Sequence, residues 1–343
     1  METLSESETK NLTAKAAGHV SDILSIAIEY RESEKALVIY DTETGLSQIL
    51  LSAYKNALPN ATFIDFNSLP SEEIVAAFDT LSPKDLVVLI QSSNFRLSQF
   101  RIRLRLFQKQ LKVIDHMHLH RNTPESWNTY IEALEYDPNW YRVMGPKLKA
   151  ILEETTTLTI HSPECTLTIS EGLEIPKLNI GDYSEMTNVG GTFPIGEVFT
   201  EAKDLTKMNG WVMIYAFADK DFCTTMYDPF EIKIENGIIV GWSSDTPRAF
   251  IEIVEEVRRN ERAVIREIGF GLNRAITRKH YLKDITAFER IHGLHFSLGE
   301  KHTVYKKEGI KADKTRYHVD IFPVIDTVFA DDTQVFRDGE YVI

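Results

Sequence analysis

Ala36-Leu37-Val38-Ile39-Tyr40, closed by Asp41, is a short, continuously apolar run. It reads as a strand buried on both faces of a parallel sheet. Before it, residues 11–29 carry Ala14, Ala17, Val20, Ile23, Leu24 and Ala27 at helical spacing. After it, a helix is predicted over 45–57, a strand over Ala61-Thr62-Phe63-Ile64 and a helix over 71–78. Asp85-Leu86-Val87-Val88-Leu89-Ile90 gives a third strand, a helix lies near 97–110, and Lys112-Val113-Ile114-Asp115 gives a fourth. Strands alternating with helices predict a doubly wound parallel sheet. No G-x-G-x-x-G follows the first strand and no Walker-type loop occurs, so nothing points to nucleotide binding.

Beyond a helix ending near Leu152 the texture changes. Thr157-Leu158-Thr159-Ile160 and Thr166-Leu167-Thr168-Ile169 alternate as antiparallel strands do. Further strands are predicted at 211–217, 230–234 and 238–241, the last two joined by an Asn236-Gly237 hairpin turn. A charged helix over 246–260 precedes strand-like segments at 263–273 and 292–299. The expected organisation is an α/β domain with a parallel sheet over 1–150, followed by a β-rich α+β metal-binding domain over 151–343.

Composition narrows the partners. The chain has 343 residues, 43% of them hydrophobic, which suits a folded pair of domains rather than disorder. A formal charge of −13 opposes a nucleic acid or an anionic membrane as partner. No apolar run reaches the ~18 residues of a membrane span, and METLSESETK has no signal-peptide character. Cys165 and Cys223 form no CxxC and read as small buried apolar residues, so a reducing cytoplasm is the expected location.

Several segments carry chemistry-bearing side chains. His116, His118 and His120 alternate after the fourth strand, but lie in one segment before a turn-like Arg-Asn-Thr-Pro, whereas metal sites draw on several. Arg101, Arg103 and Arg105 read as a solvated or interface-facing basic strip. Tyr317-His318-Val319-Asp320 is more pointed. In an extended segment His318 and Asp320, two apart, share a face and offer a metal mixed nitrogen and oxygen ligands. Glu197 follows the Gly- and Pro-shaped stretch Gly190-Gly191-Thr192-Phe193-Pro194-Ile195-Gly196. Glu267 sits inside the apolar Ile265-Arg266-Glu267-Ile268-Gly269-Phe270-Gly271, where a carboxylate must meet a cation, Arg266 or another base. His295 lies between Leu294 and Phe296 and, taken alone, reads as a core residue. Together these two imidazoles and three carboxylates suit one or two divalent ions and an activated water.

The segments around Glu197, Glu267-Ile-Gly-Phe-Gly, Gly-Leu-His295-Phe-Ser-Leu-Gly and His318-Val-Asp320 resemble, in order and spacing, the aminopeptidase T/aminopeptidase S family. The ending Asp331-Asp332…Phe336-Arg337-Asp338-Gly339-Glu340 resembles that family's ending too. The resemblance is specific over 186–343 and general over 10–150. It implies a zinc-, cobalt- or manganese-type site of two ions per chain, removal of N-terminal residues from peptides, and a homodimer. It makes Glu197, Glu267, His295, His318 and Asp320 the metal ligands, with Glu267 able to bridge or to handle the proton.

One position departs. The family places a catalytic tyrosine seven residues after its first metal histidine, and here that position is His302. A histidine there would polarise a carbonyl or relay a proton, or would face solvent in a mobile loop. The 2,5-dihydroxypyridine dioxygenases resemble the same half and close with the same His-x-Asp. They use one ferrous ion and have a histidine where this chain has Glu267. The leading expectation is a metalloaminopeptidase acting on peptides or another small-molecule substrate with a metal-activated water. The alternatives are a mononuclear iron ring-cleaving dioxygenase and a catalytically silent family member.

Overall fold

A computed structural model describes residues 4–97, 102–311 and 313–343. The chain begins with α1 (Glu6–Asp22), β1 (Ala36–Tyr40), α2 (Gly45–Ala57), β2 (Thr62–Asp65) and α3 (Ser71–Asp79). It continues through β3 (Leu86–Ile90), α4 (Ile102–Gln108), β4 (Lys112–His116), α5 (Pro124–Glu132) and α6 (Pro138–Glu154). Strands β5 (Leu158–Ser162), β6 (Cys165–Ile169), β7 (Lys177–Asn179), β8 (Gly190–Thr192) and β9 (Glu197–Glu201) follow. Next come β10 (Met208–Ala218), β11 (Thr224–Glu235), β12 (Ile238–Trp242), α7 (Arg248–Asn260) and β13 (Ile265–Gly271). The order closes with α8 (Ile285–Phe288), β14 (Gly293–Leu298), β15 (Val319–Pro323), β16 (Thr327–Ala330), β17 (Thr333–Arg337) and β18 (Glu340–Tyr341).

Two compact units result. One runs to Arg142 and also holds Gly181–Ile195 and His280–Ala287; the other comprises Val143–Ile180, Gly196–Lys279 and Phe288–Ile343. A single cut near residue 150 therefore does not describe the chain, because two later segments fold with the first unit.

The first unit is built on a parallel sheet of order β2-β1-β3-β4-β8. Every residue of β3 and β4 is buried; β3 accordingly reads as an unbroken apolar run, whereas β4 buries Lys112, Asp115 and His116 beside Val113 and Ile114. Two helices start where side chains satisfy their first amides: Ser5 with Glu8 caps α1, and Thr44 with Ser47 caps α2. The helix predicted over 11–29 starts earlier and ends in a π-helical turn, Ile23–Ala27. The predicted helix near 97–110 is α4 over its second half, and residues 98–101, Arg101 among them, lie outside the described residues. Arg103 and Arg105 turn to Asp115 (3.6 Å) and Asp79 (2.9 Å).

Strand β8 differs from the sequence reading, which took residues 190–196 for a loop. Gly190 has φ 95°, and a Cβ there would lie 1.9 Å from the Val113 carbonyl oxygen, so only glycine can pair so closely with β4. A cavity of about 590 Å³ opens in this unit beside Lys35–Leu37 and Ala61–Thr62, at the amino ends of β1 and β2. Open parallel sheets bind ligands at the carboxyl ends. There, Asp41 is engaged by the Ser92 amide at 2.7 Å and by the Ser92 hydroxyl.

The histidine trio does not converge. His116 lies between the Tyr54 hydroxyl (2.8 Å to Nε2) and the Tyr130 hydroxyl (3.0 Å to Nδ1), so both ring nitrogens are used. His118 faces Asp284 at 3.4 Å, and His120 bonds the Ser92 carbonyl. Burial lowers His116 from the usual 6.5 to about 3. The unfolded chain therefore takes up this proton first. Its stability contribution is complete above pH 6.5 and is lost as pH falls toward 3, by up to about 1.4 kcal/mol per pH unit. In His116→Phe, urea unfolding of this unit should be less stable at neutral pH yet less acid-sensitive between those values. An unchanged acid slope would show that another group carries it.

The second unit is a 13-stranded antiparallel sheet of order β18-β17-β16-β5-β6-β10-β15-β14-β13-β9-β7, with β11 attached to β10 and β12 to β11. Asn236 (φ 50°) and Gly237 (φ 73°) form the predicted tight turn between β11 and β12, since both conformations are left-handed. Helix α7 buries Phe250, Ile253, Val254 and Val257, the apolar stripe of an otherwise charged sequence. Cys165 is buried, but Cys223 is only half-buried, because it sits at the exposed Asp219–Cys223 turn rather than under the sheet. No described helix is long and apolar enough to cross a membrane.

Candidate functional site

Four neighbouring strands of the second unit, β9, β13, β14 and β15, carry Glu197, Glu267, His295 and Asp320, while His302 and His318 lie in the segment between β14 and β15. Gly271 pairs with Glu197, Glu267 with Glu201, Gly269 with His295, and Ser297 with Asp320. Because alternate residues share a face, this register places Glu197, Glu201, Glu267, His295 and Asp320 on one side. The pairing slips between Ile265 and Ile268, and at this irregularity Arg266 also reaches the face. Glu197 is the first residue of β9 and is 3% exposed, so neither a loop nor a surface turn presents it.

Glu197, Glu267 and His295 form the centre. His295 Nε2 lies 3.4 Å from Glu197 Oε1 and 3.4 Å from Glu267 Oε1. The ligand atoms of these three residues are within 4.8 Å of one another, as are those of Glu289, His295 and Asp320. The sequence reading missed Glu289. His318 stands beside Asp320 (Nε2 to Oδ1, 3.2 Å) with its side chain 28% exposed. Its Nδ1–H donates to the Lys301 carbonyl at 3.0 Å, which leaves Nε2 facing the carboxylate.

Glycine makes room for the central ring. A Cβ on Gly269 would lie 2.0 Å from His295 Cε1, so the imidazole packs directly over the β13 backbone. Ser297 Oγ, two residues on from His295, accepts the Glu267 amide at 2.9 Å.

His302 is buried, with its side chain 3% exposed, and does not face solvent. Its Nδ1 faces the Val304 and Tyr305 amides at 3.3 and 3.4 Å and accepts from them. The proton is thereby assigned to Nε2, which donates to Glu267 Oε2 at 2.6 Å. The ring also stacks on Tyr305. Arg266 fixes the loop that carries it. Rather than pairing with Glu267, Arg266 makes a two-pronged contact with Glu201 (3.0 and 3.1 Å) and donates to the carbonyls of Glu300 and Tyr305. Both members of that pair are fully buried.

A second guanidinium lies in the cluster. Arg290 Nη1 donates to Glu197 Oε2, and Nη2 lies 2.8 Å from Glu289 Oε1. Nothing in the spacing of Phe288-Glu289-Arg290-Ile291 announces either residue, beyond a charged pair amid apolar neighbours.

Burial disfavours charge on His295, yet Glu267, Glu197 and Asp320 together raise it to about 9. Burial likewise opposes charge on His318, and Asp320 and Glu267 raise it to about 10. Glu267 is desolvated but is held well below the usual carboxylate range by His295 and His302. Desolvation raises Glu197, against Arg290 and His295, and pushes Glu289 up to about 8.

The donor set fits a divalent cation. Glu197 Oε1, Asp320 Oδ1 and His295 Nδ1 are buried and make no hydrogen bond. Carboxylate oxygens and imidazole nitrogens converge there without enough protons or donors to satisfy them, which is the condition a bound cation relieves.

No family model matches the chain, and no curated protein does. Among solved structures, the chain is similar to 2,5-dihydroxypyridine dioxygenase from Pseudomonas putida KT2440. That match has a TM-score of 0.63 and 17% identity, over 96% of this chain and 97% of that one. It is also similar to wild-type AmpT from Thermus thermophilus, with a TM-score of 0.59 and 13% identity, over 96% of this chain and 99% of that one. At these identities the likeness shows a shared fold: an α/β unit with a parallel sheet and a large antiparallel-sheet unit, over nearly the whole length.

Proposed function

We propose that this protein is a metal-dependent hydrolase that removes N-terminal residues from peptides. The observation that carries this reading is the buried Glu197–Glu267–His295 cluster with the His302 Nε2–H aimed at Glu267. Glu197, Glu267 and His295, with Asp320 and His318 beside them, are the residues that would hold the ion. A divalent ion supplies carbonyl polarisation and a water of lowered pKa.

The chain's own groups supply the rest. Glu267 is a carboxylate kept ionised among imidazoles, suited to accept a proton through an oxygen not engaged by the ion. His302 carries a fixed N–H in a buried position that holds Glu267 Oε2, suited to orient that carboxylate and to relay its proton. A cavity of about 300 Å³ borders His318 and is lined also by Phe222, Ile253, Lys301, Arg316 and Tyr317, giving a side chain or peptide room on the His318 side.

A second reading, a mononuclear iron dioxygenase acting on a hydroxylated ring, is favoured by the similarity to the Pseudomonas enzyme and by the His318–Asp320 pair. Glu267 favours hydrolysis, since the dioxygenases resembling this sequence have histidine there.

Zinc-, cobalt- and manganese-loaded protein should cleave unblocked peptides and leave N-acetylated ones intact. His318→Ala and Asp320→Ala should each lower bound metal and reduce cleavage at least ~10²-fold, with the parallel-sheet unit still folded. Full metal content in both variants would remove them from the ligand set. Oxygen uptake by the ferrous form with a dihydroxypyridine, without peptide cleavage in any form, would replace the hydrolase reading by the second.

A further inference from the structure

The two ligand sets, Glu197–Glu267–His295 and Glu289–His295–Asp320, share His295. They share a second partner as well. Arg290 contacts one carboxylate from each: Glu197 through Nη1 and Glu289 through Nη2. Its side chain is 10% exposed, and its remaining Nε–H has no hydrogen-bond partner. A guanidinium so placed is a fixed positive charge between two groups of anions that a pair of metal ions would otherwise bridge.

We infer that Arg290 stands in the position of a second cation, so that the cluster takes one divalent ion rather than two. This rests on the metal-site reading above and specifies its stoichiometry.

Three observations support it. Arg290 already takes Glu197 Oε2, leaving Oε1 as that residue's unpartnered oxygen, and Oε1 is the one that faces His295 Nε2. Both sets draw on the His295 ring, and a neutral imidazole has one free lone pair, so an ion that takes it leaves the other set without that ligand. The charges agree. With neutral imidazoles, Glu197, Glu267, Glu289 and Asp320 exceed Arg290 by three negative charges. One divalent ion leaves a slight negative excess, whereas two would make a buried site positive beside a guanidinium that cannot lose its proton.

The test is metal stoichiometry, which does not depend on knowing the substrate. The full chain would be loaded with manganese chloride, desalted, and assayed by elemental analysis and electron paramagnetic resonance. The parent and Arg290→Lys should each hold one ion per chain, with the spectrum of an isolated Mn²⁺. Arg290→Met, which keeps length and removes charge, should approach two ions per chain and show exchange coupling. Two coupled ions in the parent would overturn the inference while leaving the metal-site reading intact. A folded Arg290→Met that still binds one ion would also overturn it. A parent that binds no ion would overturn both. Should Arg290→Met fail to fold, because it strands Glu197 and Glu289, the parent's stoichiometry and spectrum decide alone.

Discussion

Gly269→Ala should empty the site of metal although it changes no charge and no proposed ligand. The added methyl would lie 2.0, 2.5 and 2.6 Å from three atoms of the His295 ring. That ring is fully buried and borders Phe322, so it has no free space to enter. Either the imidazole rotates away from Glu197 and Glu267, or β13 separates from β14. We expect bound metal to fall below about a tenth of the parent's and turnover to drop at least ~10²-fold, the scale of a misplaced reacting geometry. The stability cost should be about 1–3 kcal/mol, as for an overpacked core, so the variant still folds. Native metal content in a folded Gly269→Ala would show that His295 is not a ligand.

His302→Ala should have a comparably large effect of the opposite kind: metal content unchanged, turnover reduced ~10²-fold or more. His302 meets Glu267 through Nε2 while backbone amides hold Nδ1. The loss should fall on kcat with KM nearly constant, as for a group that orients the proton-accepting carboxylate rather than binding substrate. His302→Tyr, which returns the residue found in the aminopeptidases the sequence resembles, should retain or raise peptide cleavage. His302→Ala turning over at the parental rate would deny the ring any catalytic part.

The parallel sheet was legible through β1 and β3, whose burial on both faces makes them unbroken apolar runs. The hairpin at Asn236-Gly237 was legible because its φ angles demand those residues. Strand β8 was not, since Gly190-Gly191-Thr192 has no apolar signature and is set by its approach to Val113. Within the site, acids and histidines in apolar surroundings could be read: Glu197, Glu267, His295 and Asp320 lie on one face of adjoining strands, and His318 stands beside Asp320. What surrounds them was not. Arg290 and Glu289 matter through a contact 93 residues away in the chain, from Arg290 to Glu197, which no local spacing encodes. Gly269 matters for what it lacks, and its partner His295 lies on the next strand. The sequence left Arg266 free to serve Glu267, whereas the slipped register at Ile265–Ile268 gives it to Glu201 instead.

The first unit's late segments bear on how the chain is made. Strand β8 covers the free side of β4, and Asp284 meets Arg121 at 2.9 Å, so this unit draws on residues synthesised long after Arg142. During translation, β4 waits as an uncovered sheet edge while most of the second unit is still unmade. A fragment ending at Arg142 would keep that edge permanently and would lose the Arg121–Asp284 contact, which makes it a poor expression target however natural the cut looks. The nascent chain accordingly carries β4 as a bare strand edge until Thr192 has emerged.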